Sequence, residues 1–342
     1  MRTLEVARDD LRDAQILDEP DLDPGQGEVL LRVESFALTA NTMTYGVFGE
    51  AMGYWRFFPA SGPGRGRIPA WGHAEVLTEG NPDLPAGSRL FGYLPMSTHV
   101  VLRPQARKGG VTDASPHRAE LPAPYNEYVP AGGDGEDAEG RVAVLRPLFV
   151  TGFLLADHLA ASERVVVSSA SSKTALSTAW CLREHGTDVT GLTSPRNVDA
   201  TVATEIYDDV LAYDDVGEIP QGPAAFVDIA GDPAVRGAVH EHLGGDLTAS
   251  VVVGATHWEE TSGFGAGEDL PGPRPAFFFA PAHVKPGSMG RVVAAWPAFA
   301  TWSERWLRLE RRRGDDEVLA GFRAVLEGGV PPDVAVVASL QR

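Results

Sequence analysis

The chain has 342 residues, enough for two domains with substantial cores. Hydrophobic residues make up 43% and charged residues 22%, as in a globular protein, and 47 acidic against 29 basic residues leave a net charge of -18. That balance argues against nucleic acid or an anionic membrane as a partner. No apolar run reaches the ~18 residues of a membrane span, and the first residues lack the apolar core of a secretory signal, so a cytoplasmic protein is expected. The single cysteine, Cys181, excludes an internal disulfide and a cysteine-rich zinc site, and its place in a helical pattern suits a small buried residue.

The first ~100 residues carry the period-two pattern of strands. Residues 28–37 alternate apolar and polar, Pro24-Gly25 and Pro85-Ala86-Gly87 supply turns, and 99–102 is a further short strand. From about 104 to 137 prolines, Gly109-Gly110 and an acidic glycine-rich stretch predict an irregular excursion. Between 141 and 256 strands and helices alternate, as in parallel βαβ units of a doubly wound sheet. Strands are predicted at 164–167, 188–193, 210–212, 225–229 and 250–253, and helices at 173–185, 199–206 and 233–243. Asp232 and Pro233 mark the start of the last of these helices, and Gly244-Gly245 its end. Beyond Gly265 come the run Phe277-Phe278-Phe279, a long helical pattern over 292–309, a helix over 318–326 and a strand over 334–339. That last strand is placed to return to the first domain.

The most informative segment is Arg164-Val165-Val166-Val167-Ser168-Ser169-Ala170-Ser171-Ser172-Lys173-Thr174-Ala175, read as a strand, a tight turn and a helix N-terminus. A helix N-terminus offers backbone N–H groups and a positive dipole end to an anion, and Ser171 or Ser172 can cap it. Lys173 adds full positive charge, in a chain whose only other lysines are Lys108 and Lys285. Serines stand where G-x-G-x-x-G has glycines, so a polar βα loop with a good cap is the competing account.

These features, with Ala40-Asn41, Tyr45-Gly46, Gly72-His73-Ala74-Glu75-Val76, Pro85-Ala86-Gly87-Ser88-Arg89-Leu90-Phe91-Gly92, Tyr207-Asp208-Asp209-Val210-Leu211, Phe226-Val227-Asp228-Ile229-Ala230-Gly231 and Val252-Val253-Gly254-Ala255, resemble the medium-chain dehydrogenase/reductase superfamily along nearly the whole chain. The resemblance is to its zinc-free quinone and enoyl reductase branch, and the serine turn and long C-terminal helix look like a little-characterised domain-of-unknown-function branch. It implies an α/β fold, with a Rossmann-like doubly wound parallel sheet over 141–280 and a β-rich GroES-like substrate domain over 1–140 and 281–342. It also implies a small-molecule substrate and a possible homodimer.

The cofactor implied is NADP. No carboxylate follows the second strand of the βαβ block, where NAD-binding folds hold the ribose 2′-hydroxyl; Ser194 and Arg196 do, and arginine makes bidentate contacts with phosphate. Asn41, Ser169, Ser171, Ser172, Lys173, Ser194, Arg196, Tyr207, Ala230, Gly254 and Phe278 are the candidate cofactor-binding residues. Tyr207 could equally be a packing residue, and the phenylalanine run a buried strand. His73 resembles a zinc ligand of the family's alcohol dehydrogenases, but the cysteine expected near Asn41 is missing, so no metal is expected. Tyr45 and Tyr54 are the catalytic candidates; both could instead be wall or core aromatics. His117, Arg118 and Tyr125-Asn126-Glu127-Tyr128 either face substrate or form an exposed loop. No G-x-S-x-G elbow supports a hydrolase. The expected reaction is hydride transfer to an enone, quinone or other activated alkene. Carbonyl reduction, or an NADP-binding sensor without turnover, are the alternatives.

Overall fold

The computed structural model describes residues 1–79, 81–132, 135–253 and 270–341. The chain divides into two compact units, Met1–Val144 with Arg308–Arg342, and Leu145–Leu307. In chain order the first elements are β1 (Arg2–Ala7), β2 (Ala14–Asp18), β3 (Val29–Leu38), α1 (Ala40–Val47), β4 (Arg65–Gly66), β5 (Pro69–Val76), β6 (Arg89–Pro95), β7 (His99–Leu102), β8 (Pro104–Arg107), β9 (Gly110–Asp113), β10 (Glu127–Pro130) and α2 (Glu136–His158). There follow β11 (Arg164–Ser168), α3 (Lys173–Glu184), β12 (Asp188–Thr193), α4 (Val198–Val202), β13 (Asp209–Ala212), β14 (Ala224–Asp228), α5 (Pro233–Leu243), β15 (Leu247–Val252), β16 (Ala276–Phe277), α6 (Ser288–Ser303), β17 (Arg308–Arg313), α7 (Asp315–Leu326) and β18 (Val334–Ser339).

The first unit is β-rich, as its alternation predicts. In β3, Val29, Leu31 and Val33 are buried while Arg32 faces solvent. A nine-stranded sheet runs β17-β18-β3-β5-β6-β10-β9-β8 with β7 also on β3, beside a three-stranded sheet β2-β1-β4. The C-terminal strand does return: β18 lies antiparallel on β3, with Val336 opposite Leu38 and Ala338 opposite Phe36.

Within the stretch 104–137, residues 104–130 are more ordered than their composition suggests. They form the hairpin β8–β9, two 3₁₀ turns at Pro116–Arg118 and Ala123–Asn126, and β10, which joins β6 and β9. Polar residues on an exposed edge, punctuated by prolines, hide these elements from a pattern reading.

In the second unit six parallel strands are ordered β13-β12-β11-β14-β15-β16. Taken in order of appearance this is the 3-2-1-4-5-6 arrangement of the Rossmann fold, whose direction of winding reverses between β11 and β14. Val165, Val166 and Val167 are wholly buried, as in a strand covered on both faces. One face packs Val166, Leu192 and Phe226 against Val239 and Leu243 of α5.

Two helices differ from expectation. The predicted helix 199–206 stops at Val202, and Glu205 takes a left-handed φ of 56°. The pattern over 292–309 resolves into α6, ending at Ser303, and the charged edge strand β17. Residues 281–307, grouped from sequence with the β-rich domain, pack in the parallel-sheet unit because Phe299 of α6 stacks 4.5 Å from Phe149 and meets Trp180 edge-on at 5.5 Å.

Candidate functional site

The sheet reverses its winding where β11 and β14 end side by side, and there one side chain ties the two strands together. Ser168 Oγ donates to Asp228 Oδ1 at 2.9 Å and accepts from the backbone N–H groups of Ile229 at 2.9 Å and Ala230 at 3.0 Å. Asp228, fully buried, also accepts from Gly231 N–H, and its Oδ2 is paired with Arg236 at 2.9 Å. A buried carboxylate is tolerable only when so satisfied. Both oxygens are therefore committed to tying the end of β14 to β11, to the following turn and to α5.

The turn after β11 then reverses sharply. Ser169 adopts a φ of 54°, the left-handed conformation usually given to glycine, and its N–H donates to Tyr213 Oη at 3.0 Å. Ser172 caps α3 by accepting from Ala175 N–H at 3.2 Å. Ser171 Oγ accepts from Thr193 Oγ1 and from Asn197 Nδ2, both at 3.2 Å, so the turn is tied to the end of β12. Lys173 opens α3 in a half-buried position. Next to this junction lie Ser194, half-buried, and Arg196, exposed and in no ion pair among the described residues.

Ser169, Ser171, Ser172, Lys173, Ser194 and Arg196 thus converge around one turn, and Ala230 joins them through its bond to Ser168. Tyr207 supports the turn from beneath: its hydroxyl donates to the carbonyl of Ala170 at 2.8 Å, and burial raises its pKa. Phe278 lies elsewhere, stacked on His283 at 4.1 Å and near His158, with its N–H on Val252 O. Gly254 is outside the described residues. Thr193, Asn197, Tyr213 and Arg236 complete the arrangement but carry no motif; only their position after successive parallel strands could have marked them.

In the first unit a second group of chemistry-bearing side chains gathers. Asn41 and Tyr45 are one turn apart on α1, whose start is fixed by a Thr39–Thr42 capping box. Asn41 Nδ2 donates to Tyr45 Oη at 2.8 Å, and Trp71 Nε1 donates to the same oxygen at 2.9 Å. Neither bond uses the phenolic hydrogen. Around Tyr45 stand Tyr54 at 4.9 Å, Tyr93 at 5.1 Å and Tyr125 at 6.1 Å between ring centroids, edge to face. Tyr54 Oη lies 3.4 Å from Tyr125 Oη, a long contact. Burial is the main cause holding the Tyr45 and Tyr54 hydroxyls well above their ordinary pKa. Asn41, named from sequence as a cofactor-binding candidate, is thus hydrogen-bonded to Tyr45. Trp71 and Tyr93 were not among the predicted site residues because sheet register, rather than sequence spacing, brings them in, whereas Tyr125, expected either to face substrate or to lie in an exposed loop, enters on the 3₁₀ turn Ala123–Asn126.

His73 sits on β5, buried, 5.3 Å from the ring of Phe91. Among the described residues no three His, Cys, Asp or Glu side chains are grouped to hold a metal ion. No helix among them is long and apolar enough to cross a membrane.

The family model described as "Protein of unknown function (DUF2855)" matches residues 36–331. The chain belongs to this family. No curated protein matches the DUF2855 chain in sequence. Among solved structures it is similar to CurA from Vibrio vulnificus, with 12% identity, a TM-score of 0.69 and coverage of 100% of this chain and 99% of that one. CurA has also been solved with NADPH, and that structure matches at 12% identity, TM-score 0.68 and complete coverage of both chains. The quinone oxidoreductase from Thermus thermophilus, likewise solved with NADPH, matches at 18% identity and TM-score 0.61 over 99% and 100% of the two chains. A cobalt- and zinc-bound alcohol dehydrogenase from Pyrobaculum aerophilum matches at 16% identity and TM-score 0.62 over 99% of each. At these identities the likeness is one of fold: a Rossmann-like sheet with a β-rich GroES-like unit, as the sequence predicts.

Proposed function

We propose that this protein is an NADP(H)-dependent oxidoreductase of a small molecule, reducing an enone, quinone or other activated alkene without zinc. The observation that carries the reading is the junction of the serine turn with the end of β12, where a capped helix N-terminus and an arginine in no described ion pair share one edge of the reversal point. Its donor chemistry fits a dinucleotide: α3 and Lys173 would hold the pyrophosphate, and Ser194 and Arg196 the 2′-phosphate. The NADPH complexes of CurA and of the Thermus enzyme support the same cofactor. When bound, the reduced nicotinamide supplies the hydride.

The chain's own contribution is acid chemistry at Tyr45 Oη. Its free hydrogen binds the substrate carbonyl oxygen, and as charge gathers there the proton passes across. Asn41 and Trp71, already donating to Oη, stabilise the phenolate left behind. Burial opposes phenolate formation at rest, so the transfer follows charge development on substrate.

Calorimetric titration of cofactor-free protein with NADPH and NADH at one salt concentration tests the reading. NADPH is expected to bind more tightly, and Arg196→Ala to weaken it about tenfold while leaving NADH unchanged, the loss of one charge-assisted contact. Equal weakening of both removes the 2′-phosphate assignment; binding of neither removes the oxidoreductase.

A further inference from the structure

A buried arginine in the 104–137 excursion reaches three of the segments that surround Tyr45. Arg118 is 1% exposed, among the largest fully buried side chains of the molecule. Its charge is met by Asp113, equally buried, at 3.0 Å. Asp113 Oδ1 in turn accepts from the N–H groups of Arg103 and Ser115, both at 3.0 Å, and from Ser115 Oγ at 2.6 Å. The pair is thus locked at the root of the excursion.

From there the guanidinium fans out. Nε donates to the carbonyl of Phe57 at 3.2 Å, and the group lies 4.4 Å over the ring of Phe58, in the turn that follows Tyr54. Nη1 donates to Tyr128 Oη at 3.0 Å, whose hydrogen continues to the carbonyl of Tyr93 at 2.7 Å. The Arg118 carbonyl accepts from Asn126 Nδ2 at 3.2 Å, next to Tyr125. Phe57 closes the arrangement, its ring 5.2 Å from Tyr93 and 5.7 Å from Tyr125.

From this geometry we propose that Arg118 is a positioning residue of the tyrosine site, setting Tyr54, Tyr93 and Tyr125 around the Tyr45 hydroxyl, and that residues 113–128 of the excursion form a fixed wall of the substrate site. A planar guanidinium is suited to this because it spends its donors in several directions at once, which a lysine ammonium on a flexible stem does not reproduce. The claim rests on the oxidoreductase reading for its catalytic consequence, while the positioning itself is independent of it.

The test uses Arg118→Lys and Phe58→Leu in the full chain. The second variant loosens the guanidinium without leaving Asp113 unpaired, so it decides the matter if Arg118→Lys fails to fold. With NADPH and either 2-cyclohexenone or 1,4-naphthoquinone, KM is expected to rise at least about tenfold while NADPH affinity stays within about twofold. Tyrosinate absorbance is expected to appear at lower pH than in the parent protein, and ahead of any loss of near-ultraviolet circular dichroism, as the cluster loosens within the folded variant. A folded variant with the parent KM and the parent tyrosinate titration overturns the proposal. A parent protein without NADPH-dependent turnover on either probe defeats the oxidoreductase reading alone, and the tyrosinate titration then decides the positioning.

Discussion

Tyr45 receives two hydrogen bonds at one oxygen, from Asn41 and Trp71, in surroundings that suppress its own ionisation. Tyr45→Phe keeps the ring contacts with Tyr54 and Tyr93 and removes only that oxygen. Two donors then lose their acceptor, at a cost of about 1–3 kcal/mol in stability. If Tyr45 is the acid, kcat falls about 100-fold with NADPH affinity unchanged, which steady-state kinetics and calorimetry separate. Unchanged kcat would leave the proton to solvent. The sequence marks Tyr45 and Asn41 only through the family resemblance; that one helix carries both is seen in the structure. The sequence cannot mark Trp71 or Tyr93, which meet through the β5–β6 register, where they are cross-strand partners.

The parallel strands were legible because Val165–Val167 and their counterparts are short apolar runs bounded by turn residues. Elements with mixed environments were not. In α2 the pattern is interrupted by Pro147 and Gly152, and residues 153–156 are all buried, so no clean amphipathic stripe appears. β17 reads as a charged run, yet it is paired along its length with β18. Gly152 also explains how α2 approaches the helix of the cofactor turn. A Cβ there would stand 2.7 Å from the backbone at Ser177 and Thr178 of α3, closer than carbon atoms tolerate. Gly152→Ala must therefore push the helices apart or bend one of them, lowering stability by about 1–3 kcal/mol. Denaturant unfolding should show a lower midpoint at unchanged slope. An unchanged midpoint would mean that the two helices separate freely at this crossing.

At the scale of the molecule, the composition makes its alkaline behaviour unusually simple to assign. Arginine stays protonated throughout the accessible range, and only three lysines are present, so the seven tyrosines dominate the titration above about pH 10. All seven, Tyr45, Tyr54, Tyr93, Tyr125, Tyr128, Tyr207 and Tyr213, have pKa values raised, each chiefly by burial. Above the unfolded value near pH 10 the unfolded chain therefore binds fewer protons than the folded one, and stability falls as pH rises. Below that pH both states are protonated and these groups contribute no slope. Each tyrosine adds up to about 1.4 kcal/mol per pH unit to the decline. Five of them lie in the β-rich unit and two in the parallel-sheet unit, so the first of these loses stability faster. Tyrosinate absorbance is expected to rise in a steep step that coincides with loss of near-ultraviolet circular dichroism. A gradual rise centred near pH 10 with the dichroism intact would show that the tyrosines ionise within the folded protein, and would contradict the burial of the Tyr45 cluster.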